Sequence, residues 1–316
     1  MKPAVGALAA IAAVLLTSCT TPTPAAGAAE GPAAPVADQV PAQQRSYDSI
    51  ARDDAAWALL PEATRQSGAI TVVVSAASPP GSFISPDGGG PAGIFPEIAL
   101  ALGRVLGVEV TLAQIPFDGV IPGLQAGRYD MAVASMSGTA ERLEVLDMVK
   151  FTLGGSAIAV PSGNPLGLDS RSLCDHRVGV VVGTHQATSR LPRLDEQTCG
   201  ATGRPPIQAV SFPDSNALLL ALSSNRIDAA MNDGPVLGYA QRQQGGRFDV
   251  LADDSQLKSI GGIGLPKGSP LVPAVEAAVR TLQGLPEYRD VYQRWGAVEF
   301  ALPVEMAGRM TPADFS

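Results

Sequence analysis

Apolar positions along the chain alternate between two spacings, and the alternation predicts the elements. "AITVVV" (Ala69 to Val74) is a continuous run rich in β-branched side chains, the composition of a strand buried on both faces. "GIFPEIALALGRVLG" places Ile94, Ile98, Leu102 and Leu106 at helical spacing and ends on Gly107, so it predicts an amphipathic helix with a glycine stop. "VEVTLAQI" follows as a second strand. Strand, helix and strand at these lengths predict parallel βαβ winding. Upstream, "DDAAWALLPEATRQSG" predicts a short helix docking through Trp57, Leu59 and Leu60, with Gly68 as its stop.

The same pattern is written a second time. "FDGVIPGLQAGRYDMAVASMS" and "DSNALLLALSSNRIDAAMND" each give a helix, a turn ending in Arg, then Asp and a strand. Leu124 aligns with Leu222, Arg128 with Arg226, Asp130 with Asp228 and Ser135 with Asp233. "RVGVVVGTHQ" (Arg177 to Gln186) likewise echoes "ITVVVSAAS" as an opening strand. A weak internal repeat of this kind predicts two similar α/β lobes. Ligands in open α/β sheets bind beyond the carboxyl ends of the strands, so Ser135 and Asp233 are expected on opposite walls of one cleft.

"SMSGTAERLEV" carries the sharpest chemical signal. Thr139 is a good N-cap, which puts Arg142 at the third helical position, where the helix dipole disfavours a cation by roughly 0.3–1 kcal/mol. Either Arg142 is an exposed side chain paired with a neighbouring acid, or its guanidinium and the free amides converge on an anion.

Composition narrows the classes. The chain has 316 residues, 46% hydrophobic and 16% charged, which suits one or two globular units with real cores. A net charge of −8 argues against nucleic acid as a partner. No phosphate-binding lysine loop is present, and "PDGGGPAG" (Pro86 to Gly93) has neither a lysine nor a following cap, so it reads as a loop. The start is of another kind. Lys2, an apolar run from Val5 to Leu16 and then small residues have the layout of a secretory signal, and the run is too short to favour a membrane span. Leu16-Thr17-Ser18-Cys19 resembles a bacterial lipobox, which implies cleavage after residue 18 and lipidation of Cys19. Residues 19–47 are rich in Ala, Pro and Thr and read as a disordered tether. An acylated anchor, a leash and a folded body describe a chain held on the extracellular face of the cell membrane. Two further cysteines, Cys174 and Cys199, form an even pair in an exported chain, which favours a disulfide over free thiols. Neither His176 nor His185 gives them a usual zinc spacing, and no metal or cofactor is expected.

Taken together, "WALLPEATRQSGAITVVV", "PFDGVIPGLQAGRYDMAVASMSGTAER", "GVVVGTHQ", "NRIDAAMND", "GGIGLPKGSP" and "YRDVYQRWG" resemble the family 3 solute-binding proteins of ABC importers that capture polar amino acids. The resemblance runs from about Trp57 to Ala297, and the cysteine positions also resemble a high-GC Gram-positive subgroup of lipoproteins. It implies two Rossmann-like lobes joined by a two-strand hinge, the type II periplasmic-binding-protein fold. The implied division is signal peptide 1–18, tether 19–47, N-terminal helix 48–66, lobe 1 at 67–158 and 261–300, lobe 2 at 159–260 and a C-terminal tail 301–316. Crossings between lobes are expected near Ser156 to Val160 and Ser259 to Gly264.

The resemblance also implies roles. Arg142 would clamp the ligand α-carboxylate, helped by Ser137 and by the amides of Thr184 and His185. Asp233 would accept from the α-ammonium, with Ser135 beside it, and Phe117 would pack its ring on the ligand. Each position has a plain alternative: Phe117 as core, Ser137 as a strand-end cap, Asp233 as a turn former before Gly234-Pro235 and His185 as an exposed loop residue. One departure concerns the wall facing the ligand side chain. Ser78 stands where the family usually has an aromatic, a second aromatic is missing near Gly81, Ser75 replaces a common acidic or polar residue, and Phe83 would have to swing in. "DMVKFTLGG" also puts Lys150-Phe151 in place of the usual proline-aromatic step. The expected protein is therefore a binding protein and not an enzyme, a monomer that hands a small zwitterion to an ABC permease. Two other classes use the same fold, a ligand-sensing lipoprotein and an exported dehydratase for prephenate-like acids. The dehydratase needs an acid or base poised in the cleft; Glu141 is the one acid beside the anion site and is expected to point away.

Overall fold

The structure, a computed structural model, describes residues 47–75, 77–86, 88–251 and 258–314. The signal segment 1–18, the lipidation residue Cys19 and the tether up to residue 46 lie outside the described residues. Among the described residues no helix is long and apolar enough to cross a membrane.

The body starts with two helices where the sequence suggested one. α1 (Asp54–Ala58) is capped by the Asp53 carboxylate, which accepts from the amides of Ala55 and Ala56 at 2.9 and 3.1 Å. Pro61 separates it from α2 (Glu62–Ser67), which ends on Gly68 at φ 64°; proline has no amide to continue a helix, and glycine accepts the left-handed stop. Leu60 is buried as expected, but Leu59 keeps 49% of its surface exposed because the break at Pro61 turns it outward. Trp57 is half-buried between the guanidinium groups of Arg52 and Arg65, 4.9 and 5.4 Å from its ring.

β1 (Ala69–Ser75) is followed by a small hairpin of β2 (Phe83–Ile84) and β3 (Pro91–Ala92), then α3 (Ile94–Leu106) and β4 (Glu109–Ile115). β4 runs parallel to β1 from Ala69↔Glu109 to Ser75↔Ile115. After α4 (Val120–Gln125), β5 (Met131–Ala132) pairs in parallel with the other side of β1. The expected βαβ winding is present.

α5 (Ala140–Val145) leads into β6 (Leu146–Pro161), the longest strand. Beyond it come β7 (Arg177–Val181), α6 (Leu191–Thr198), β8 (Gln208–Phe212), α7 (Ser215–Ser223) and β9 (Ala229–Asp233). β7 lies between β8 and β9, parallel to both, as β1 lies between β4 and β5. α8 (Gly234–Gln243), β10 (Phe248–Leu251), β11 (Lys258–Pro266), α9 (Val272–Gln283), α10 (Pro286–Arg294) and β12 (Gly308–Arg309) complete the chain. The strand order is β4-β1-β5-β11-β6-β9-β7-β8, with β10 and β12 also on β6. β6 joins the halves: its residues 146–155 pair with β11, and Ser156 to Ala159 pair with β9.

The sequence repeat is a structural one. The Asp130 carboxylate accepts from the amide of Thr71 at 2.7 Å, and the Asp228 carboxylate accepts from the amide of Arg177 at 2.9 Å. Each acid thus pins the start of its own central strand. Separate apolar clusters fill the two halves. Phe95, Phe151, Tyr288, Tyr292 and Trp295 pack around β1, α3 and the C-terminal helices, whereas smaller side chains such as Val178, Val180, Leu191 and Ala229 fill the half around β7. Cys174 and Cys199 form a disulfide within this second cluster.

Residues 301–314 lie against the first half. Ala301 bridges to Thr152, β12 pairs with Val149 and Lys150, and Lys150 meets Asp314 at 2.9 Å. The Leu302 amide donates to the Tyr288 hydroxyl at 2.9 Å.

Candidate functional site

The loops after β5 and β9 meet at the junction of the two halves. Ser135 lies three residues past β5, and Asp233 is the last residue of β9. The Ser135 hydroxyl donates to one oxygen of the Asp233 carboxylate, and Gln186 Nε2 donates to the other at 2.7 Å. Burial pushes the Asp233 carboxyl above its ordinary pKa, against the bonds from Ser135 and Gln186 and the field of Arg142. Behind it, the Asp233 amide donates to Asn232 Oδ1 at 2.8 Å and Asn232 Nδ2 donates to Ser215 Oγ at 2.9 Å. Ser215 Oγ lies 3.1 Å from Ser78 Oγ, so a hydroxyl from the loop after β1 meets one from the start of α7.

Arg142 sits where its awkward helical position placed it. Thr139 caps α5, and its hydroxyl accepts from the Arg142 amide at 3.2 Å. The side chain is not an exposed ion pair, because Arg142 keeps only 7% of its surface. Its guanidinium donates to the carbonyl of Ser137 at 2.8 Å and to that of Gly183 at 3.2 Å, and lies 5.5 Å from the Phe117 ring centre. Burial lowers the Arg142 pKa to about 10, with Asp233 and Glu141 opposing the shift. At neutral pH it therefore stays a cation, bonded to neutral carbonyls. Five N–H donors in a fixed fork leave spare donors for an anion. Gly183 is required twice over. Its φ is 76°, and a Cβ there would come within 3.1 Å of the Asp118 backbone across the junction.

The remaining expected residues divide. Phe117 packs against the cluster holding Leu124 and Met136, the core alternative, and its ring also lies under the Arg142 guanidinium. Ser137 offers its carbonyl to Arg142, while its hydroxyl lies 3.2 Å from Ser259 Oγ. The Thr184 hydroxyl donates to the Val181 carbonyl at 2.6 Å and its amide to the same oxygen at 3.3 Å, so this residue holds the turn rather than leaving both groups free. The expected helix start there is a π-helical turn, Gln186–Arg190. His185 is half-buried with no hydrogen bond at Nδ1, and burial, then Arg142 and Arg193, lower its pKa. Glu141 is exposed on the border of the groove beside His185. Phe83 does not swing in. The hairpin of β2 and β3 aims its ring at Trp295, edge to face at 5.6 Å.

Beside Asp233 lies a cavity of about 30 Å³ lined by polar residues (Ser78, Ser135, Asp233) and apolar ones (Phe95, Leu153, Phe300). Known ligand pockets run from about 300 Å³ upward, so this cavity is small for a ligand. An open groove of about 610 Å³, bordered by Ser137, Glu141, His185 and Arg193, adjoins the Arg142 side. Among the described residues no group of three His, Cys, Asp or Glu side chains could hold a metal ion. Sequence reading missed Gln186, Asn232 and Ser215. Gln186 follows the quoted "GTH" directly, but nothing local signals that it reaches Asp233.

Comparison with known proteins bears on the family and the fold. The model of the bacterial extracellular solute-binding proteins, family 3, matches residues 70–298. The arginine-binding protein ArgT of Corynebacterium glutamicum is 29% identical over 77% of this chain and 79% of its own length. The histidine-binding periplasmic protein of Salmonella typhimurium is 26% identical over 54% of this chain and 65% of its own. Among solved structures, an ancestral arginine-binding protein bound to arginine superposes with a TM-score of 0.63 at 27% identity, covering 72% of this chain and 98% of that one. The fold is thus that of the type II periplasmic binding proteins, and the matched relatives are binding proteins, not enzymes.

Proposed function

Because the chain belongs to the bacterial extracellular solute-binding proteins, family 3, with a substrate-binding role in ABC transport, we propose that it captures the zwitterionic head of a small amino acid or derivative by closure of two lobes. Lobe 1 comprises 67–158 and 261–300, lobe 2 comprises 159–260, and β6 and β11 form the hinge. The observation that carries this reading is a buried cation, Arg142, hydrogen-bonded to two carbonyls and lying within the field of a half-buried carboxylate, Asp233. The relatives named for arginine and histidine support an amino-acid head group.

An α-carboxylate takes the spare donors of Arg142 bidentately, which a lysine cannot do. Ser137 and the amide of His185 complete its shell, while Thr184 holds their loop. The α-ammonium takes Asp233 in exchange for the Ser135 hydroxyl, and the Phe117 ring braces the guanidinium. A ligand touching Arg142 on one lobe and Asp233 on the other favours the closed form by what it bonds there and cannot bond when the lobes part. The closed form is the shape offered to the permease, from a chain anchored on the outer membrane face through lipid on Cys19.

Titration calorimetry with a panel of amino acids tests the head-group role. Arg142→Lys should weaken the best ligand about ten-fold or more, roughly 1.4 kcal/mol; unchanged affinity would sink it. For the anchor, Cys19→Ala should move the chain from the membrane fraction to the medium, and retention on the membrane would remove the lipid from the account.

A further inference from the structure

The closed cavity is lined by few charged groups and many apolar ones. Asp233, which lies in the field of Arg142, lines it with Ser78 and Ser135, and Pro80, Ile94, Phe95, Leu153, Val236 and Phe300 line the rest. Of the described residues lining this cavity, Asp233 is the sole carboxylate, and none is Lys, Arg or His. The polar groups of the wall already have protein partners. Ser78 Oγ meets Ser215 Oγ at 3.1 Å, and Thr152 Oγ1 lies 3.1 Å from the Phe300 and Leu153 carbonyls, to either of which it can donate. The Tyr292 hydroxyl donates to the Phe151 carbonyl at 3.5 Å.

The aromatic wall missing at Ser78 and Gly81 is supplied from elsewhere. A Cβ at Gly81 would come within 2.5 Å of the Phe95 ring, so the absence of a side chain at Gly81 is what lets Phe95 lean from α3 into the wall. Phe151 stacks edge-on behind it at 5.7 Å. The opposite side comes from Phe300, in the 3₁₀ turn Val298–Phe300 near the chain's end, held by the Thr152 hydroxyl on its carbonyl.

We infer that the ligand carries an uncharged, apolar side chain, aliphatic or aromatic, which enters this wall while its head group engages Arg142 and Asp233. The inference rests on the head-group reading above. Once Asp233 is taken by an ammonium, a second cation in the wall finds no counter-charge and keeps the full penalty of its burial. A second carboxylate finds no cation, only hydroxyl groups such as that of Ser135. An apolar side chain loses nothing there and gains the contact of rings and branched side chains. This chain therefore departs from the ligands that its relatives are named for.

The test is titration calorimetry of the full chain with leucine, phenylalanine, glycine, arginine, histidine and glutamate. Leucine or phenylalanine should bind about 100-fold more tightly than arginine, histidine or glutamate, and Leu153→Ala should weaken leucine about ten-fold while leaving glycine unchanged. Arginine, histidine or glutamate binding as tightly as leucine overturns the inference and leaves the head-group reading standing. Equal losses of leucine and glycine in the variant do the same. Should none of the six bind, the head-group reading falls, and this inference with it.

Discussion

The half around β1 and the half around β7 repeat one winding yet are held together by different means. Each has a central strand flanked in parallel, and each has an aspartate pinning that strand's start. The first half also receives the first and last described elements. α1, α9 and α10 close over α3, and Glu97 on α3 accepts from Tyr47 at 2.5 Å and Trp295 at 2.9 Å and pairs with Arg294. Among the described residues the second half receives no such cover. It has smaller side chains in its core and a disulfide tying the approach to β7 to the end of α6. The same topology thus tolerates two solutions to core closure, aromatic burial with a C-terminal strap in one case and a covalent link in the other.

Removing each device breaks the comparison in a directed way. Deleting residues 301–316 exposes the sites of Leu302 and Met310, which keep 1% and 4% of their surface. At about 1.5–3 kcal/mol for each such side chain, the first half should lose about 4 kcal/mol, read as a lower midpoint in urea. A loss under about 1 kcal/mol would mean that the strap is ornament. The double variant Cys174→Ala, Cys199→Ala should cost about 3.5 kcal/mol in the chain-entropy model for a sequence separation of 25. Hydrogen exchange should show the loss in β7 and α6 while α3 and α9 stay protected; uniform loss would show that the halves unfold as one.

The paired aspartates sharpen the comparison further. Asp228 also takes Arg177 Nε at 3.2 Å and NH2 at 2.6 Å, bonds with no counterpart at Thr71. Asp228→Asn should therefore cost about 2 kcal/mol and Asp130→Asn about 1 kcal/mol, in line with hydrogen bonds to charged and neutral donors. Reversed magnitudes would remove Arg177 from the account. The hydrogen bond from Arg177 holds the Asp228 carboxyl below its ordinary range. A depressed folded pKa contributes stability above the unfolded value, about 3.9, and loses it as pH falls through the folded one. The gap between the two variants should narrow on acidification below about pH 4.

Local signals account for what was legible in the sequence. β1, α3 and β4 were readable because β-branched runs and helical spacing are properties of a short window. The repeat was readable because Asp130 and Asp228, or Ser135 and Asp233, keep one distance from their strands. The members of the last pair do meet, through a hydrogen bond across the junction. Other features depend on distant partners. Leu59 was expected to dock, but Pro61 splits its helix and turns it out. Phe83 was expected near the ligand, but its direction is set by Trp295, more than two hundred residues on. Residues 301–314 read as a tail because two paired residues of β12 give no periodic signal. Gln186, Asn232 and Ser215 are polar side chains whose role is fixed only by the fold.

Ser135 and Asp233 hold equivalent places in the two halves, yet they carry opposite costs, and this gives the smallest expected effect. The serine hydroxyl is neutral in either state. The Asp233 carboxyl is pushed up by burial, so the unfolded chain releases its proton at a lower pH than the folded one. Above the ordinary carboxylate range the group therefore destabilises the fold, and below it the penalty disappears because both states hold the proton. Asp233→Asn should raise stability by about 0.5–1 kcal/mol at pH 7, with the gain vanishing below about pH 4. Binding should move the other way. An amino acid should lose affinity in the variant more than the matching simple carboxylate does, and wild-type affinity should fall as pH drops through the raised Asp233 pKa. A variant that is less stable at pH 7, or that loses both ligands equally, would make Asp233 a structural residue and leave Arg142 alone at the head of the cleft.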